Sequence, residues 1–325
     1  MKDYSGVMVF AEHRDGRVHP VSYELLSKGR EMADSLGVEL SSVLLGDQMD
    51  EEAAELIYYG ADKVFLYNHP AFKDFDLLNY KHNIVKLVRE IKPEIFLLGA
   101  THLGRSLGPR IAAALGTGLT ADCTGLDVDK NGNLVQIRPA FSGNILAQIE
   151  TRTRPQMATV RYKVMQSKGR DMGRKGEIIR KGAEFVPSLL TIIKKEKVSE
   201  ANLSEAVVIV SGGRGLKKAE DFCLLSDLAE LLGGAVGSSR PLVDDRWIGK
   251  EHQVGFSGNT VKPKVYIACG ISGSPQHLAG MRDSGVIIAI NSDPSAPIFR
   301  VADYGIIGDL YCVVPKLIER IKRRH

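Results

Sequence analysis

Short apolar runs alternate with amphipathic stretches along most of this chain, and this alternation restricts the possible folds more than any other feature. In the N-terminal part, the runs VMVFAEH, ELSSVLLG, KVFLYN and EIFLLGAT predict strands. The stretches between these runs carry apolar residues at helical spacing. Strands that alternate with helices predict a parallel sheet with helices on both faces.

The pattern changes after a predicted helix around Arg105 to Leu115. The segments LTADCTGLDVD, LVQIRPAF, NILAQIE and QMATVRYKV predict antiparallel strands, and Asn131-Gly132 predicts the turn between the first two. We therefore expect the first domain to carry an antiparallel extension.

A second α/β unit begins at Ala206, where AVVIVSGGRG predicts a strand followed by a glycine turn. A helix is predicted from Lys217 to Leu232, then the strands AVGSSR, KVYIACG, GVIIAINS and YGIIGD, and a closing helix PKLIERIKRR. The sequence thus predicts an α/β protein with two nucleotide-fold-like domains, residues 1–195 and 196–325. Each has a mainly parallel sheet flanked by helices.

Composition excludes several classes of protein. A hydrophobic content of 44% with 6% aromatic residues is ordinary for a soluble α/β protein. We find no run approaching the roughly 20 apolar residues of a membrane helix. The N-terminus MKDYSGVMVFAEHRDG turns charged before a signal-peptide core is complete, which predicts a protein of the cytoplasm, or of an organelle matrix if a transit peptide was removed, without membrane insertion.

Neither nucleic-acid binding nor metal binding is expected. The net charge of +4 comes from one segment, Lys163 to Lys197, which has ten basic and four acidic residues but no nucleic-acid motif. We interpret this segment as an exposed connector. The nearest two cysteines, Cys269 and Cys312, are 43 positions apart, so zinc and iron–sulfur ligation are not predicted.

The turn GISGS, Gly270 to Ser274, allows two interpretations. It nearly matches the G-x-S-x-G nucleophile elbow, which would make Ser272 the nucleophile of a serine hydrolase. However, the second glycine is absent, and His277 lies too close along the chain for ordinary triad geometry. Alternatively, Ser274 is a helix N-cap with Pro275 at the first helical position, and the free backbone N–H groups bind an anion.

Several similar strand-to-turn junctions favour the binding interpretation. They are SGGRG with Arg214, GSSR with Arg240, QVGFSG with Phe256, AINSDP with Asn291 and IIGDL with Asp309. In a parallel sheet the carboxyl ends of the strands share one edge, so these junctions converge on one crevice. Since G-x-G-x-x-G and the P-loop motif are both absent, the pattern indicates a large nucleotide cofactor held in another way.

Together these segments resemble the α subunit of electron transfer flavoproteins. The most specific match is YIACGISGSPQHLAGMRDSGVIIAINSDPSAPIFRVADYGIIGDL, Tyr266 to Leu310. In the first domain, GLTADCTGLDVD, RPAFSGN and RPQMATVR resemble members from anaerobic and nitrogen-fixing systems.

The resemblance implies an FAD in the second domain, and it assigns contacts there. Arg240, Ser257 and His277 match residues that tune the flavin: the guanidinium over the ring, the hydroxyl at N5 and the imidazole near the C2 carbonyl. The further cofactor-binding residues it implies are Arg214, Ser239, Val254, Gly255, Phe256, Ser272, Gly273, Ser274, Pro275, Gln276, Asn291, Asp309 and Leu310. No metal ligand and no catalytic nucleophile are implied.

Such residues suit redox tuning, because reduction puts negative charge on the N1–C2=O edge of a flavin and nearby donors and cations stabilise that charge. The chain departs from the usual family pattern at Phe256-Ser257, at Ser274-Pro275 and at Asp245-Arg246. Serine keeps the hydroxyl that is common at position 257, and proline stiffens the turn without removing a needed donor.

The family also implies partners. An α subunit forms a heterodimer with a β subunit, and the first domain would pack against that β subunit. The α chain accepts single electrons from NADH through the β-subunit flavin, or from a dehydrogenase. It passes them to an acyl-CoA-type or other flavin dehydrogenase, or to a quinone reductase.

Two modes of electron transfer stay open. Flavin-based electron bifurcation adds a ferredoxin or flavodoxin as acceptor and makes the chain part of an NADH-dependent oxidoreductase complex. A simple carrier instead holds AMP in the β subunit. A serine hydrolase and a nucleotide-sensing module stay as alternatives from other classes.

Overall fold

The structure, a computed structural model, describes residues 3–140, 145–188, 191–194, 203 and 205–323. The chain divides into two compact units, Met1–Lys194 and Lys195–His325. Each unit contains a parallel sheet flanked by helices, so the predicted α/β fold class is confirmed. Residues 195 and 196, where the sequence places the domain border, lie outside the described part of the chain.

The first unit is built on a seven-stranded sheet with a smaller sheet beside it. Its described strands are β1 (Val7–Ala11), β2 (His13–Arg14), β3 (Arg17–Val18), β4 (Leu40–Gly46), β5 (Lys63–Asn68), β6 (Ile95–Gly99), β7 (Leu119–Cys123), β8 (Gly125–Val128), β9 (Leu134–Ala140), β10 (Ile145–Glu150), β11 (Gln156–Val160) and β12 (Glu177–Arg180). The large sheet has the order β12-β5-β4-β1-β6-β11-β7, and all its pairs are parallel. Every residue of β1, β4, β6 and β11 is buried, as expected for a sheet covered on both faces.

Four described helices cover this sheet. They are α1 (Pro20–Leu36), α2 (Asp50–Tyr58), α3 (Leu77–Ile91) and α4 (His102–Leu115). Three of them, α1, α3 and α4, begin at a residue whose side chain caps the helix. The Asp76 carboxylate caps α3 by accepting from the N–H groups of Leu78 and Asn79. Gly37 ends α1 in the left-handed conformation, φ 64°, which glycine adopts without strain.

The predicted antiparallel extension is confirmed only in part. Strands β10, β9 and β8 form a three-stranded antiparallel sheet. The antiparallel prediction is wrong for β7 and β11, which pair in parallel within the large sheet. QMATV is a continuous buried run between two strands, a pattern typical of a central parallel strand. Phe141 and Asn144, which the sequence places in this extension, lie outside the described residues.

The basic segment is more ordered than an exposed connector would be. Its residues Glu177–Arg180 form β12, which pairs with β5 at the edge of the large sheet. Nearby, Arg174 forms an ion pair with Asp62 at 2.8 Å, and Arg170 pairs with Glu55. Part of the segment is thus an edge of the first unit.

The second unit has a five-stranded parallel sheet. Its described strands are β13 (Val208–Gly212), β14 (Ala235–Ser238), β15 (Val265–Cys269), β16 (Val286–Asn291) and β17 (Tyr304–Ile307), and its helices are α5 (Phe222–Leu231), α6 (Arg240–Asp244), α7 (Pro275–Leu278) and α8 (Leu310–Lys322). The strand order is β14-β13-β15-β16-β17, with every pair parallel. Two apolar cores result. One is built around Leu225 and Val314 of α5 and α8, and the other around Val254, Met281 and Ile298.

Two predicted helices begin elsewhere. The segment from Lys217 starts with a short 3-10 turn at Ala219–Asp221, and α5 begins at Phe222. The closing helix begins at Leu310 rather than at Pro315, which lies inside α8. The carboxylate of Asp309 caps this helix by accepting from the Tyr311 N–H at 2.9 Å.

Candidate functional site

The strand order of the second unit creates a crevice at one point of its sheet. From β13 the chain moves to β14 on one side and then to β15 on the other, so the order reverses between β13 and β15. In open α/β sheets, ligands bind outside the carboxyl ends of the strands at such a switch point. The turns SGGRG and GISGS follow these two strands directly.

Backbone contacts hold these two turns together. The N–H of Gly213 donates to Cys269 O, and that of Gly215 donates to Gly270 O, both at 3.0 Å. A Cβ on Gly213 would lie 2.5 Å from Gly270 O, so only glycine permits this approach. The paired turns form the floor of the crevice.

The loop 254–258 joins the same crevice. Its Val254 N–H donates to Ser238 O at 2.9 Å, and its Phe256 N–H donates to Gln276 O at 2.8 Å. Gly255 adopts φ 146°, which side chains rarely allow. The loop thereby connects the end of β14 with the first turn of α7, while Phe256 is 74% exposed.

The two remaining predicted junctions meet the same turns. Asn291 donates from Nδ2 to Ile271 O at 3.0 Å, and its own carbonyl accepts from Gly308 N–H at 3.0 Å. Leu310 is 4% exposed and packs where a Cβ on Gly215 would touch it. The structure therefore brings all the predicted strand-end segments to one edge of one sheet.

Two predicted arginines supply positive charge at this edge. Arg214 is exposed and makes no ion pair with any described residue. Arg240 is the first residue of α6, and its exposed guanidinium contacts Asp244 at 3.1 Å. Close by, Ser239 precedes α6 as its N-cap residue, and the Ser257 hydroxyl accepts from Gln253 Nε2 at 3.0 Å.

The GISGS turn presents backbone donors. Ser274 occupies the N-cap position and Pro275 the first helical position, as expected, but the Ser274 side chain makes no capping hydrogen bond. Among the described residues, none accepts a hydrogen bond from the N–H groups of Ser272, Gly273 or Ser274. An open cavity of about 510 Å³ lies beside this turn.

Sequence reasoning missed two arginines of this cavity, Arg282 and Arg300, which help to line it. The sequence contained a signal for both arginines, since AGMRDSG and PIFRVAD each place a cation shortly after a turn. It also missed Tyr266, which a buried apolar strand made look like ordinary core.

His277 is placed differently from a surface histidine. Its imidazole is 5% exposed, and Nε2 lies 3.0 Å from the Tyr266 hydroxyl. Burial lowers the pKa of His277 to about 4, although the Val254 carbonyl favours the charged form. Nδ1 is buried without a well-formed hydrogen bond to any described residue, so the imidazole does not pair with Ser272 as a hydrolase would require.

No group of three or more potential metal ligands occurs within the described ranges. Of the helices that the structure describes, none is long and apolar enough to span a membrane.

The fold and the crevice define a two-unit α/β protein with a nucleotide-type site at the switch point of its second sheet. Comparison with known families identifies it further. Residues 7–185 match the electron transfer flavoprotein domain, and residues 202–282 match the electron transfer flavoprotein FAD-binding domain. The chain belongs to the electron transfer flavoprotein family, as an α-subunit member.

Curated relatives match the chain over its length. The electron transfer flavoprotein subunit alpha of Thermoanaerobacterium thermosaccharolyticum is 49% identical, with 99% of each chain covered. Protein FixB of Clostridium saccharobutylicum is 48% identical over 98% of this chain and 97% of its own. A subunit named lactate dehydrogenase (NAD(+),ferredoxin) subunit LctC, from Acetobacterium woodii, is 46% identical over 98% of this chain and 77% of its own.

The crevice fits the flavin nucleotide that this family implies. Free backbone N–H groups and exposed guanidinium groups are what a pyrophosphate needs, and both are present. The orphaned Nδ1 of His277 is a buried polar atom that still needs a partner.

Proposed function

We propose that this chain is the FAD-holding α subunit of a heterodimeric electron transfer flavoprotein and that it carries single electrons between a donor and a partner dehydrogenase. The observation that carries the proposal is the convergence of the predicted strand-end turns on one crevice with free N–H donors and cations. When bound, FAD supplies the one-electron redox chemistry. No side chain has to act as a nucleophile.

The residues of this chain would then bind FAD and adjust its reduction potential. The N–H groups of Ser272, Gly273 and Ser274, with Arg214 and Ser239, would hold the phosphates. Arg240, Ser257 and His277 would contact the flavin ring and tune its potential. Asn291, Asp309 and Leu310 would contact the adenosine end. The remaining residues assigned by resemblance, Val254, Gly255, Phe256, Pro275 and Gln276, belong to the two segments joined by the Phe256–Gln276 hydrogen bond.

The first unit would bind the β subunit. Strand β10 supports this, because it exposes the apolar side chains of Ile145 and Leu146, 54% and 66% exposed, beside the small antiparallel sheet. Successive strand residues point to opposite faces, and β10 is an edge strand of its sheet, so an edge with apolar side chains on both faces offers a partner a surface to cover. We place the heterodimer in the cytoplasm.

We favour electron bifurcation over the function of a simple electron carrier. The support is the Acetobacterium woodii relative, whose name joins NAD(+) and ferredoxin, together with the FixB relatives. In this mode NADH reduces a second flavin in the β subunit, and a ferredoxin or flavodoxin and an acyl-CoA-type dehydrogenase receive the electrons. In the simple mode the β subunit holds AMP.

One experiment tests both levels of the proposal. The chain is co-purified with its β subunit, the flavins per heterodimer are counted, and the complex is titrated with NADH. Two flavins with reduction by NADH support bifurcation, and one flavin that NADH does not reduce supports a simple carrier. A heterodimer reconstituted with FAD that never binds flavin would contradict the proposal altogether.

A further inference from the structure

The segment 213–218 follows β13 and carries Arg214, one of the two cations at the crevice. Five of its six backbone N–H groups donate hydrogen bonds, those of Gly213, Gly215, Leu216, Lys217 and Lys218. Among the described residues, none accepts from the N–H of Arg214. The segment is therefore tied down on both sides of Arg214, whereas the N–H and the guanidinium of Arg214 stay available.

The hydroxyl of Tyr311 ties down the far side of the segment. It accepts from the Lys217 N–H at 2.7 Å and donates to the Asp221 carboxylate at 2.5 Å. The same carboxylate oxygen accepts from the Lys218 N–H at 3.2 Å. The directions are defined, because a backbone N–H only donates and an ionised carboxylate only accepts. One phenol oxygen thus links the start of α8 to the chain that follows Arg214.

The side chain of Tyr311 is itself well anchored. Its backbone N–H donates to Asp309 Oδ1 at 2.9 Å, within the cap of α8. The Lys217 ammonium lies 4.7 Å from the centroid of the Tyr311 ring, a distance typical of a cation–π contact. The preceding residue, Leu310, packs against Gly215. The phenol is therefore held in place by α8 and can serve as a fixed support for the segment.

We propose that Tyr311 is a positioning residue for Arg214, because its hydroxyl fixes the segment 213–218 so that both free donors of Arg214 face the diphosphate of a bound dinucleotide. A donor that is fixed before the ligand arrives loses less conformational freedom on binding. In this role Tyr311 acts through the segment and needs no contact with the ligand. The effect on FAD rests on the proposed function, whereas the contacts of Tyr311 do not.

The first test measures amide hydrogen exchange of the full chain without flavin, resolved to the residues 213–218. Tyr311→Phe keeps the ring and removes only the hydroxyl. Because the loss of one hydrogen bond of ordinary strength makes local opening more frequent, exchange at Lys217 should become about threefold to tenfold faster. Unchanged exchange at Lys217 would overturn the inference.

Two further variants accompany this test. Tyr304→Phe is the matched control and should leave the exchange unchanged, since Tyr304 is 65% exposed and its hydroxyl bonds to no described residue. Asp221→Asn keeps an acceptor oxygen, but a neutral one that accepts more weakly than a carboxylate, so it should accelerate exchange at Lys217 by less. If Tyr311→Phe does not fold, unchanged exchange in Asp221→Asn overturns the inference instead.

The second test asks whether Tyr311 acts through Arg214, and it measures the dissociation constant of FAD in the heterodimer. Tyr311→Phe should raise this constant about threefold to tenfold in the wild-type background and by less than about twofold in the Arg214→Gln background. A residue that only stabilises the fold would cause the same loss in both backgrounds, so this double-mutant cycle separates the two roles. Equal effects in both backgrounds would refute the positioning role.

The two tests also separate this inference from the proposed function. If the heterodimer binds no FAD but Tyr311→Phe accelerates exchange at Lys217, the proposed function fails and the support of the segment by Tyr311 stands. If FAD binds and Tyr311→Phe leaves its dissociation constant unchanged, the positioning role fails and the proposed function stands.

Discussion

His277 is neutral at neutral pH, since burial lowers its pKa to about 4 from an ordinary value of 6.5. Because the folded pKa is the lower one, its contribution to stability is fully present above about pH 6.5 and is lost as the pH falls towards 4. The free energy of unfolding of the second unit should fall by roughly 3 kcal/mol across that range through this residue.

Trp247 makes this loss measurable, because it is the single tryptophan of the chain and packs in the second unit. Urea unfolding followed by its fluorescence should show the acid loss in wild type and a smaller loss in His277→Gln. Parallel pH profiles for the two proteins would show that the imidazole is not buried as described.

Arg240 is predicted to raise the potential of the bound flavin, because a cation stabilises the negative charge that reduction creates. Arg240→Ala should lower the midpoint potential by on the order of 60 mV, equivalent to a tenfold change for one electron. A spectroscopic redox titration of the heterodimer measures the shift.

Asp244 offers the matched control, since its carboxylate is the ion-pair partner of Arg240. Asp244→Asn removes a negative charge and keeps the guanidinium, so the potential should not fall. A potential unchanged in Arg240→Ala would refute the role of this arginine.

At the scale of elements, the backbone conformation of the GISGS turn depends on one glycine more than on its serines. Gly273 adopts φ 89°, and a Cβ there would lie 2.4 Å from Ile298 N. Gly273→Ala should destabilise the second unit by about 1–3 kcal/mol and reduce the retention of FAD. Unfolding followed by Trp247 fluorescence and the flavin content after gel filtration measure the two effects.

Ser274→Ala is the control within the same turn. Because its side chain makes no capping hydrogen bond, its loss should change stability by less than about 0.5 kcal/mol. Equal losses in the two variants would mean that the turn depends on the serine side chain.

Asp309 has a structural role in addition to its predicted contact with adenosine. Asp309→Ala removes the cap of α8 and should cost about 1 kcal/mol of stability. It should also weaken FAD retention with little change in potential. Asp309→Asn keeps a capping oxygen and should keep the stability. Unchanged retention with a shifted potential would mean that the cofactor is bound in the opposite orientation.

The sequence predicted whether a segment is a helix or a strand wherever its apolar residues are regularly spaced. It did not predict which strands pair with one another. The runs at β1, β4, β5 and β6 predict their strands correctly. The partners of β7 and β11 were misassigned because β7 shares its segment with β8 and because β11 follows the antiparallel strands β8 to β10 along the chain. Pairing depends on contacts that are distant along the chain. The junction glycines predict the site because a parallel sheet places strand ends together. Tyr266 gave no local signal, since its hydroxyl contacts His277, which lies on another element.

Across the whole molecule, the two units differ in what occupies their switch points. In the first unit the strand order reverses between β1 and β6, and there the Glu12 carboxylate accepts from the Thr101 hydroxyl at 2.5 Å. Glu12 is 6% exposed, and burial raises its pKa. A buried carboxyl at this point disfavours an anionic ligand, in contrast to the cations of the second unit.

The raised pKa predicts a pH effect confined to the first unit. The contribution of Glu12 to stability is present below the ordinary carboxyl pKa and is lost as the pH rises through the raised value. Glu12→Gln should therefore protect the first unit at pH 7 relative to wild type, with no gain in acid. Amide hydrogen exchange resolved by unit measures this, and a gain equal in both units, or none, would contradict it.

The loop 254–258 also determines which positions of this chain can be varied by protein engineering. A Cβ on Gly280 would meet the Gly255 backbone at 2.4 Å, so these two positions exclude larger residues together. Saturation libraries that vary them would consist largely of misfolded clones. Phe256 and Ser257 are exposed on the same loop, so a small library at these two positions would test their proposed flavin contacts while it leaves the glycine backbone unchanged.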